Sequence, residues 1–182
     1  MILETERLLL RPWRDADRAP LAAIFADPEV KRFYPSILTY EETSAQIDAA
    51  IARAVTDGFG FHAAELKETG QLAGWLGISR IGEPTRAAIR GPCDVEIGWQ
   101  FDRSLWGQGL APEGARAWLD YGFGTLGLPE IIAFTYRGNT PSRRVMEKLG
   151  MRYDAASDFD HPRLAEAHPL RPHVVYRVNP ST

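Results

Sequence analysis

The sequence predicts a single α/β domain, residues 1–182, built on one mixed, mostly antiparallel sheet of about seven strands flanked by about four helices. Three observations lead to this class. Strand-like segments outnumber segments with helical periodicity. Neighbouring strand segments at both ends of the chain can pair locally, and they bracket one strand–helix–strand unit. With 182 residues, 45% of them hydrophobic, the chain is long enough for one well-buried core.

The N-terminal half is predicted to contain three strands and two helices. In order, these are a strand at 3–13, a helix at 15–26, a helix between Thr39 and Gly58, strands at 59–66 and 72–81, and a loop at 82–92. Thr39 and Glu42 have the spacing of a capping box, in which each residue satisfies a free backbone N–H near the other. The helix that follows has apolar positions at Ile47, Ile51 and Val55, which predict its buried face.

The C-terminal half is predicted to hold the remaining elements. They are a strand at 94–101, a helix after the turn at 106–111, a strand at 130–136, a helix that ends at Gly150, and paired strands at 151–157 and 172–178. Pro112 and Pro141 suit first helical positions, where a missing N–H does no harm, and Thr140 suits the cap before the second of them. The connection 158–171 is long for a hairpin, which suggests a binding role.

The turn from Trp106 to Glu113 is the most informative segment of the chain. Its two glycines allow a tight turn into the helix, and the free N–H groups and the dipole of a helix start favour an anion such as phosphate. A plain turn that starts a surface helix is an equally good interpretation of this segment by itself. Two sharper phosphate motifs fail: no lysine follows the glycines, and Pro112 occupies the third small position of a dinucleotide fingerprint.

The strand, glycine turn, helix, strand and helix of this region resemble the core of the GNAT superfamily of acyl-CoA-dependent N-acyltransferases. The turn fits that family's pyrophosphate loop, Gln/Arg-x-x-Gly-x-Gly/Ala, except at its first position. Several motifs together resemble the branch of the ribosomal-protein-alanine acetyltransferases. The resemblance is carried by Trp106-Gly107-Gln108-Gly109-Leu110-Ala111, by Asn139, Ser142 and Glu147-Lys148-Leu149-Gly150, by Thr5-Glu6-Arg7-Leu8-Leu9-Leu10-Arg11, and by His173-Val174-Val175-Tyr176-Arg177.

The resemblance implies acetyl-CoA as the co-substrate and a set of residues that bind it. The implied cofactor contacts are Ile97, Gly98, Trp99, Trp106, Gly107, Gln108, Gly109, Leu110, Ala111, Asn139, Ser142 and Arg143. It also implies two catalytic groups: Glu96 as the base that deprotonates the amine, and Ser142 as the acid that protonates the leaving thiolate. The tyrosine that many relatives use as acid is replaced by Met146, so solvent protonation is an alternative and Tyr136 is a weaker candidate.

Each of these residues also has a plainer interpretation. Glu96 would be a strand glutamate on a solvated face, with Asp94 on the same face as its nearest substitute. Asn139 and Ser142 would be ordinary capping residues. Arg143 and Arg144 would belong to a solvated helix face rather than contact the 3′-phosphate of the adenosine. Cys93 is interpreted as a buried, inert thiol.

Composition excludes several classes of function. The net charge of −3, from 21 Lys+Arg and 24 Asp+Glu, provides no drive toward nucleic acid or an anionic membrane. No signal peptide or membrane-spanning run is recognisable, and a single cysteine forms no intrachain disulfide, so a cytoplasmic protein is expected. No metal is expected either, because the spacing of the acidic residues and histidines between Asp158 and His173 matches no standard pattern.

The function predicted from the sequence is acetyl transfer from acetyl-CoA to a primary amine by direct attack in a ternary complex. A protein N-terminus is slightly favoured, and an acidic field from Asp94, Glu96 and Asp102 is expected to attract a cationic amine. The alternatives are a small amine of the aminoglycoside or polyamine type, a non-catalytic CoA-binding sensor, and a nucleotide-dependent enzyme. The loops 33–40, 82–92 and 158–171 are expected to shape the acceptor pocket, and a homodimer is left open.

Overall fold

The computed structural model describes residues 1–92 and 94–180. Its strands are β1 (Leu3–Glu4), β2 (Leu8–Arg11), β3 (Phe61–Leu66), β4 (Leu72–Arg80), β5 (Val95–Phe101), β6 (Ile131–Tyr136), β7 (Arg152–Tyr153), β8 (Phe159–Asp160) and β9 (Pro172–Val178). Its helices are α1 (Arg18–Phe25), α2 (Tyr40–Asp57), α3 (Thr85–Ala88), α4 (Leu110–Gly124) and α5 (Thr140–Lys148), with short 3₁₀ turns at Asp15–Asp17, Arg103–Leu105 and Ala155–Ser157.

All nine strands of the described chain lie in one sheet, in the order β1-β2-β3-β4-β5-β6-β9-β7, with β8 also on β9. Every pairing is antiparallel except β5 with β6, so the predicted mixed, mostly antiparallel sheet is confirmed. The strand count exceeds the predicted seven for two reasons. Thr5 turns the chain back by accepting the Leu8 N–H at 2.9 Å, which divides the expected first strand into β1 and β2. The 158–171 connection also contributes β8.

The parallel pairing of β5 with β6 is confined to one residue pair, Glu96 opposite Ile132. By contrast, β5 makes seven pairs with β4, and β6 makes six with β9. Each strand therefore follows its antiparallel partner, and the two central strands are unpaired with one another after residues 96 and 132. This opening lies at their carboxyl ends, where ligands bind in open α/β sheets.

Apolar side chains cover both faces of the sheet. On one face α4 packs through Leu110, Ala115, Trp118 and Leu119 against β-strand residues that include Val95 and Ile97. On the other face α1 and α2 pack together around a second cluster. That cluster includes Leu21, Ile24, Phe25, Val30, Ile47, Ala63 and Leu72. The side chains of β5 therefore alternate between two environments. One is the face of the sheet that packs against α4, and the other is the face that carries α1 and α2.

The prediction for the apolar face of α2 is only partly right. The Thr39–Glu42 capping box is present, with the Glu42 N–H donating to Thr39 Oγ1 at 3.1 Å. Ile47 is buried, but Ile51 is 40% exposed and Val55 is 82% exposed. The buried stripe instead continues from Ile47 through Ala50, because small residues let the helix approach the backbone at Gly60, just before β3, closely.

The starts of α4 and α5 differ slightly from the predictions. Gly109, at φ 82°, is the cap of α4, so Pro112 occupies the third helical position rather than the first. Its missing N–H still does no harm, because the first intrahelical bond comes from Glu113 to Gly109 at 3.2 Å. The cap of α5 is Asn139 rather than Thr140, since Asn139 Oδ1 accepts the Ser142 N–H at 3.3 Å.

Close backbone contact between β3 and β4 predicts a strong effect of a single methyl group. A Cβ at Gly77 would lie 2.3 Å from the Gly60 carbonyl oxygen, whereas one at Gly124, near the end of α4, would meet nothing within 4 Å. We expect Gly77→Ala to lower the free energy of unfolding by ~1–3 kcal/mol through overpacking. The control Gly124→Ala is expected to be neutral or slightly stabilising. Equal urea midpoints for the two variants would contradict the close strand contact.

Candidate functional site

A cleft of about 370 Å³ occupies the opening between β5 and β6. On the face that carries α4 and α5 it reaches Gly107, Gly109 and Ser142, and we call this part the turn side. On the opposite face it reaches Tyr34 and Phe134, and we call this part the loop side. Of the residues predicted to bind a cofactor, the cleft is lined by Ile97, Gly98, Trp99, Trp106, Gly107, Gly109, Leu110, Ala111, Asn139 and Ser142.

The glycine turn is held in place from outside the cleft. Glu113, in the first turn of α4, accepts the Thr5 hydroxyl at 2.6 Å and the Arg7 N–H at 2.9 Å, so the β1–β2 hairpin is attached to the helix start. Arg7 also donates to the Gln108 carbonyl at 2.9 Å. These contacts explain why Gln108 does not line the cleft. Because hydrogen bonds from Thr5 and Arg7 outweigh burial, the pKa of Glu113 is lowered.

Two left-handed glycines shape the turn itself. Gly107 has φ 79° and Gly109 has φ 82°, a backbone conformation that residues with a Cβ rarely adopt. The turn delivers the N-terminus of α4 to the cleft, where the N–H groups of its first residues, Leu110 and Ala111, have no intrahelical acceptor. This arrangement suits an anion. Trp106 closes the turn from behind by donating its indole N–H to the Phe101 carbonyl at 2.9 Å.

The second helix start on the turn side is that of α5. Asn139 caps it and also donates from its amide nitrogen to Thr135 Oγ1 at 2.9 Å, which fastens the helix to the end of β6. The plainer interpretation of Asn139 as a capping residue therefore holds, and the residue lines the cleft as well. Ser142 is half-buried and lines the same side.

Arg143 lies away from the cleft. Its guanidinium donates to the Tyr176 hydroxyl at 3.1 Å and to the Arg137 carbonyl at 3.3 Å. Arg144 and Lys148 are the cations of α5 that line the cleft. Successive residues of a helix point about 100° apart, so neighbouring arginines cannot share one direction. Arg144 therefore lines the cleft and Arg143 does not.

Glu96 lies where the two central strands separate. Val95 and Ile97 are buried against α4, and the alternation of the strand therefore turns Glu96 toward the opposite face, where it is half-buried. Glu96 itself is not among the residues that line the cleft. Burial raises its pKa to about 7, although the charges of Arg53 and Arg163 act in the opposite direction. A carboxyl group with this pKa exchanges protons at neutral pH.

Residues 27–38, between α1 and α2, supply part of the site, of which the sequence indicated only the loop that begins at residue 33 and missed residues 29–32. The Phe33 ring lies 6.0 Å from the Tyr136 ring, and Tyr34 lines the cleft. Tyr34 is 40% exposed overall, but burial at its hydroxyl end, and then the charge of Glu96, raise its pKa to about 12 and keep the hydroxyl protonated. For residues 29–32, the adjacent aromatic pair Phe33 and Tyr34 is the sequence signal that lies nearest.

Lys31 anchors this segment. It is 4% exposed, its ammonium lies 4.0 Å from the centre of the Phe25 ring, and it donates to Gln100 Oε1 of β5 at 3.1 Å. Burial lowers its pKa to about 8. The side chain thus fastens the loop side to the strand that forms the cleft wall. A buried lysine of this kind has no recognisable sequence pattern, because lysine is almost always exposed.

The structure does not gather the three predicted carboxylates at one point. Asp94 is exposed and pairs with Arg86 at 3.3 Å. Asp102 lies beyond the other end of the seven-residue strand β5, where it accepts hydrogen bonds from the N–H and hydroxyl of Ser104, at 2.8 and 2.6 Å. Glu96, with its raised pKa, is only partly ionised at neutral pH. The length of the strand therefore separates Asp94 from Asp102.

The remaining candidates from the sequence are distributed as follows. The rings of His161 and His173 lie 4.9 Å apart, tilted by 49°, and no group of three or more potential metal ligands occurs within residues 1–92 and 94–180. Cys93 lies outside the described residues. Among the helices of the described chain, none is long and apolar enough to cross a membrane.

A separated pair of parallel strands, with a left-handed glycine turn and two helix starts at its mouth, is the arrangement that the sequence resemblance to the GNAT family leads us to expect. The family comparison agrees. Residues 7–152 match the family model described as "Acetyltransferase (GNAT) domain". The chain therefore belongs to the GNAT family and is an N-acetyltransferase with a single domain of this fold.

Individual relatives support this assignment. The chain is 30% identical to the "Uncharacterized N-acetyltransferase YoaA" of Bacillus subtilis (strain 168), over 83% of this chain and 82% of that protein. A GNAT-family acetyltransferase structure from Bacillus anthracis is 27% identical, with a TM-score of 0.79 over 98% of both chains. RimL, a ribosomal L7/L12 alpha-N-protein acetyltransferase solved with coenzyme A, shares the fold with a TM-score of 0.77 over 98% of both chains, at 14% identity.

The raised pKa of Glu96 predicts a pH-dependent loss of stability. Above the unfolded pKa of 4.5 the unfolded chain is ionised while folded Glu96 stays protonated up to about pH 7, so stability falls with pH between these values. We expect Glu96→Gln to raise the free energy of unfolding by about 2 kcal/mol at pH 8 and by little at pH 4.

Urea denaturation at both pH values measures this difference. The control Asp94→Asn, at an exposed carboxylate beside the same strand, should change stability little at either pH. A gain for Glu96→Gln that is equal at pH 4 and pH 8 would contradict the assigned ionisation.

Proposed function

We propose that this protein transfers the acetyl group of acetyl-CoA to a primary amine by direct attack in a ternary complex. The single observation that supports it best is a cleft that joins two environments. Its turn side has free backbone donors suited to a diphosphate. Its loop side adjoins a glutamate whose pKa of about 7 suits a base. A direct reaction needs both reactants in one cavity, and the opening between β5 and β6 provides it.

The turn side has the donors that CoA requires. The N–H groups from Gly107 to Ala111 would hold the pyrophosphate, with Gln108 contributing backbone only, since its carbonyl is engaged by Arg7. After Glu96 the edge of β5 that faces β6 is unpaired, so the backbone of residues 97–99 would accept the pantetheine arm as an added strand. Asn139 and Ser142 would contact the same arm, and Arg144 is the cation placed for a phosphate.

Glu96 is the proposed base. An α-amino group has a pKa near 8, so the acceptor arrives largely protonated and must lose a proton before it attacks. A carboxyl group that titrates near pH 7 is well matched to this transfer. Because Glu96 borders the cleft without lining it, one water molecule would relay the proton.

The leaving thiolate needs a proton or solvent access. Ser142 is the proposed acid on the turn side, and Met146, at the position where relatives carry tyrosine, lines the cleft without a donor. Tyr34 is an additional candidate donor because it lines the cleft and remains protonated. Solvent protonation stays an alternative, since a thiolate with a pKa near 8.5 leaves readily.

For the acceptor we favour a protein N-terminus over a small amine of the aminoglycoside or polyamine type. This preference rests on the sequence resemblance and on structural neighbours that are described as ribosomal-protein acetyltransferases. A second candidate function is a CoA-binding sensor without catalysis. Joint replacement of Glu96 and Ser142 distinguishes the transferase from the sensor, because a sensor would retain its function without these two side chains.

A homodimer is compatible with both candidate functions.

Replacement of Gly109 is expected to weaken CoA binding. In Gly109→Val a β-branched side chain at φ 82° disturbs the turn and blocks close approach of a phosphate to the backbone. Gly127→Val is a matched control, because it places the same side chain at φ 63° in a loop that does not line the cleft. We expect at least ~10-fold weaker CoA affinity for Gly109→Val by calorimetry and wild-type affinity for Gly127→Val. Unchanged affinity in a folded Gly109 variant would exclude the turn as the phosphate site.

Replacement of Glu96 is expected to slow acetyl transfer. Glu96→Gln should lower kcat by ~10²-fold or more, with little change in CoA affinity. In the wild-type protein kcat/KM should rise with pH through about pH 7 as Glu96 loses its proton, and this inflection should be absent from the variant. Thiol release with acetyl-CoA and a panel of amines, from pH 5.5 to 9, measures both effects. If Glu96→Gln turned over as fast as the wild-type protein across this pH range, Glu96 would be excluded from the mechanism. Asp94→Asn is the control variant.

A further inference from the structure

A short segment links the carboxyl ends of β5 and β6 across the opening between them. It consists of residues 31–33, and we call it the bridging segment. Lys31 donates to Gln100 Oε1, near the end of β5, at 3.1 Å. The Phe33 ring lies 6.0 Å from the ring of Tyr136, the last residue of β6. Arg32 lies between these two contacts, so the segment that carries it is held at the cleft from both strands.

The side chain of Arg32 lines the cleft beside the glycine turn. Its guanidinium carbon lies 5.7 Å from the centre of the Trp106 ring and 4.7 Å from the centre of the Phe33 ring. Trp106 is the residue before Gly107, where the backbone donors proposed for the diphosphate begin. Arg32 therefore brings a positive charge close to these donors from a separate part of the chain.

The ion pair that Arg32 makes with Glu29 is weak. Its Nη1 lies 3.4 Å from Glu29 Oε2, and the two side chains are 39% and 45% exposed. An ion pair in this setting contributes little to stability, because water and salt screen it. A phosphate group is a better partner, since its oxygens match the planar fork of a guanidinium and accept strong, charge-assisted hydrogen bonds. Arg32 can therefore exchange Glu29 for a phosphate at little cost.

The charges that line the cleft favour an anionic ligand. Among the described residues of its lining there are three cations, Arg32, Arg144 and Lys148, and one acidic residue, Glu29. Arg144 and Lys148 belong to α5, whereas Arg32 precedes α2. Positive charges from separate elements thus meet the N-terminus of α4, which itself suits an anion. None of the cofactor contacts implied by the sequence resemblance comes from residues 27–38.

We propose that Arg32 is a further contact for CoA, and that it releases Glu29 to bind the diphosphate that the glycine turn holds through its backbone. The proposal rests on the CoA-binding part of the proposed function and adds to it a side chain that no motif indicated. The turn alone offers neutral N–H donors, whereas Arg32 supplies a full positive charge and two parallel donors. Affinity for the diphosphate therefore depends on both parts of the chain.

Calorimetry with CoA and with dephospho-CoA tests this contact on the 182-residue chain. Both ligands contain the diphosphate, and only CoA carries the 3′-phosphate. We expect Arg32→Met to weaken the binding of both ligands by ~10-fold, because a charge-assisted contact common to the two is lost. Arg32→Lys keeps the charge without the fork and should recover part of the affinity. The urea midpoint of Arg32→Met should equal that of the wild-type protein, since the side chain is exposed.

Arg103→Met is the matched control. Arg103 is exposed and lies three residues before Trp106, but it does not line the cleft. The control removes the same charge near the turn without removing a contact, so we expect CoA affinity to change by no more than ~2-fold.

Four results would overturn the proposal. Wild-type affinity in Arg32→Met would show that no contact is made. Equal losses in Arg32→Met and Arg103→Met would show a general electrostatic effect. A loss with CoA but not with dephospho-CoA would place Arg32 at the 3′-phosphate instead. An Arg32→Lys variant as weak as Arg32→Met would indicate a packing role of the side chain.

Binding separates this inference from the proposed function, because calorimetry with CoA requires no acceptor and no turnover. Weaker CoA binding in Arg32→Met, in a protein that acetylates no amine, would leave the Arg32 contact standing and remove the transferase proposal. Acetylation of an amine by the wild-type protein, with unchanged CoA affinity in Arg32→Met, would do the reverse.

Discussion

The limited pairing between β5 and β6 is the constraint on which the rest of the structure depends. One residue pair, Glu96 with Ile132, joins the two halves of the sheet, while each strand is bound along its length to an antiparallel partner. The opening that results exposes backbone of two central strands without leaving a sheet edge at the surface. It also brings the helix starts at Gly109 and Asn139 to one mouth.

The same constraint accounts for the chemistry assigned to Glu96. Strand alternation buries Val95 and Ile97 under α4, so the glutamate must face the other side, near the end of the paired region. There it is half-buried, without a hydrogen-bond donor among the described residues, and its pKa rises to about 7. Placing a carboxyl group in such a position costs stability, as is usual for functional groups. The core packing on the opposite face of the strand offsets that cost.

Residues with local partners were predictable. The capping box at Thr39 and Glu42, the left-handed glycine turn and the alternation around Glu96 all appear where the sequence indicates. Predictions that required a direction in space were less reliable. Arg143 and Arg144 are equivalent in sequence, yet only Arg144 faces the cleft. Ile51 and Val55 have helical spacing, but they lie outside the contact that α2 makes with β3.

The sequence by itself determined the fold class, the family resemblance and the turn with the neighbouring strand residues, because these follow from periodicity and from short-range hydrogen bonding. Only the tertiary structure decided the electrostatics of the loop side. Lys31 and Tyr34 come from one segment, Arg53 from α2 and Arg163 from the connection between β8 and β9, and their effects depend on burial and on their charged neighbours in the fold. Burial and the distances between charges are properties of the folded chain, since the interaction between charges depends on distance and on the surrounding dielectric rather than on position in the sequence.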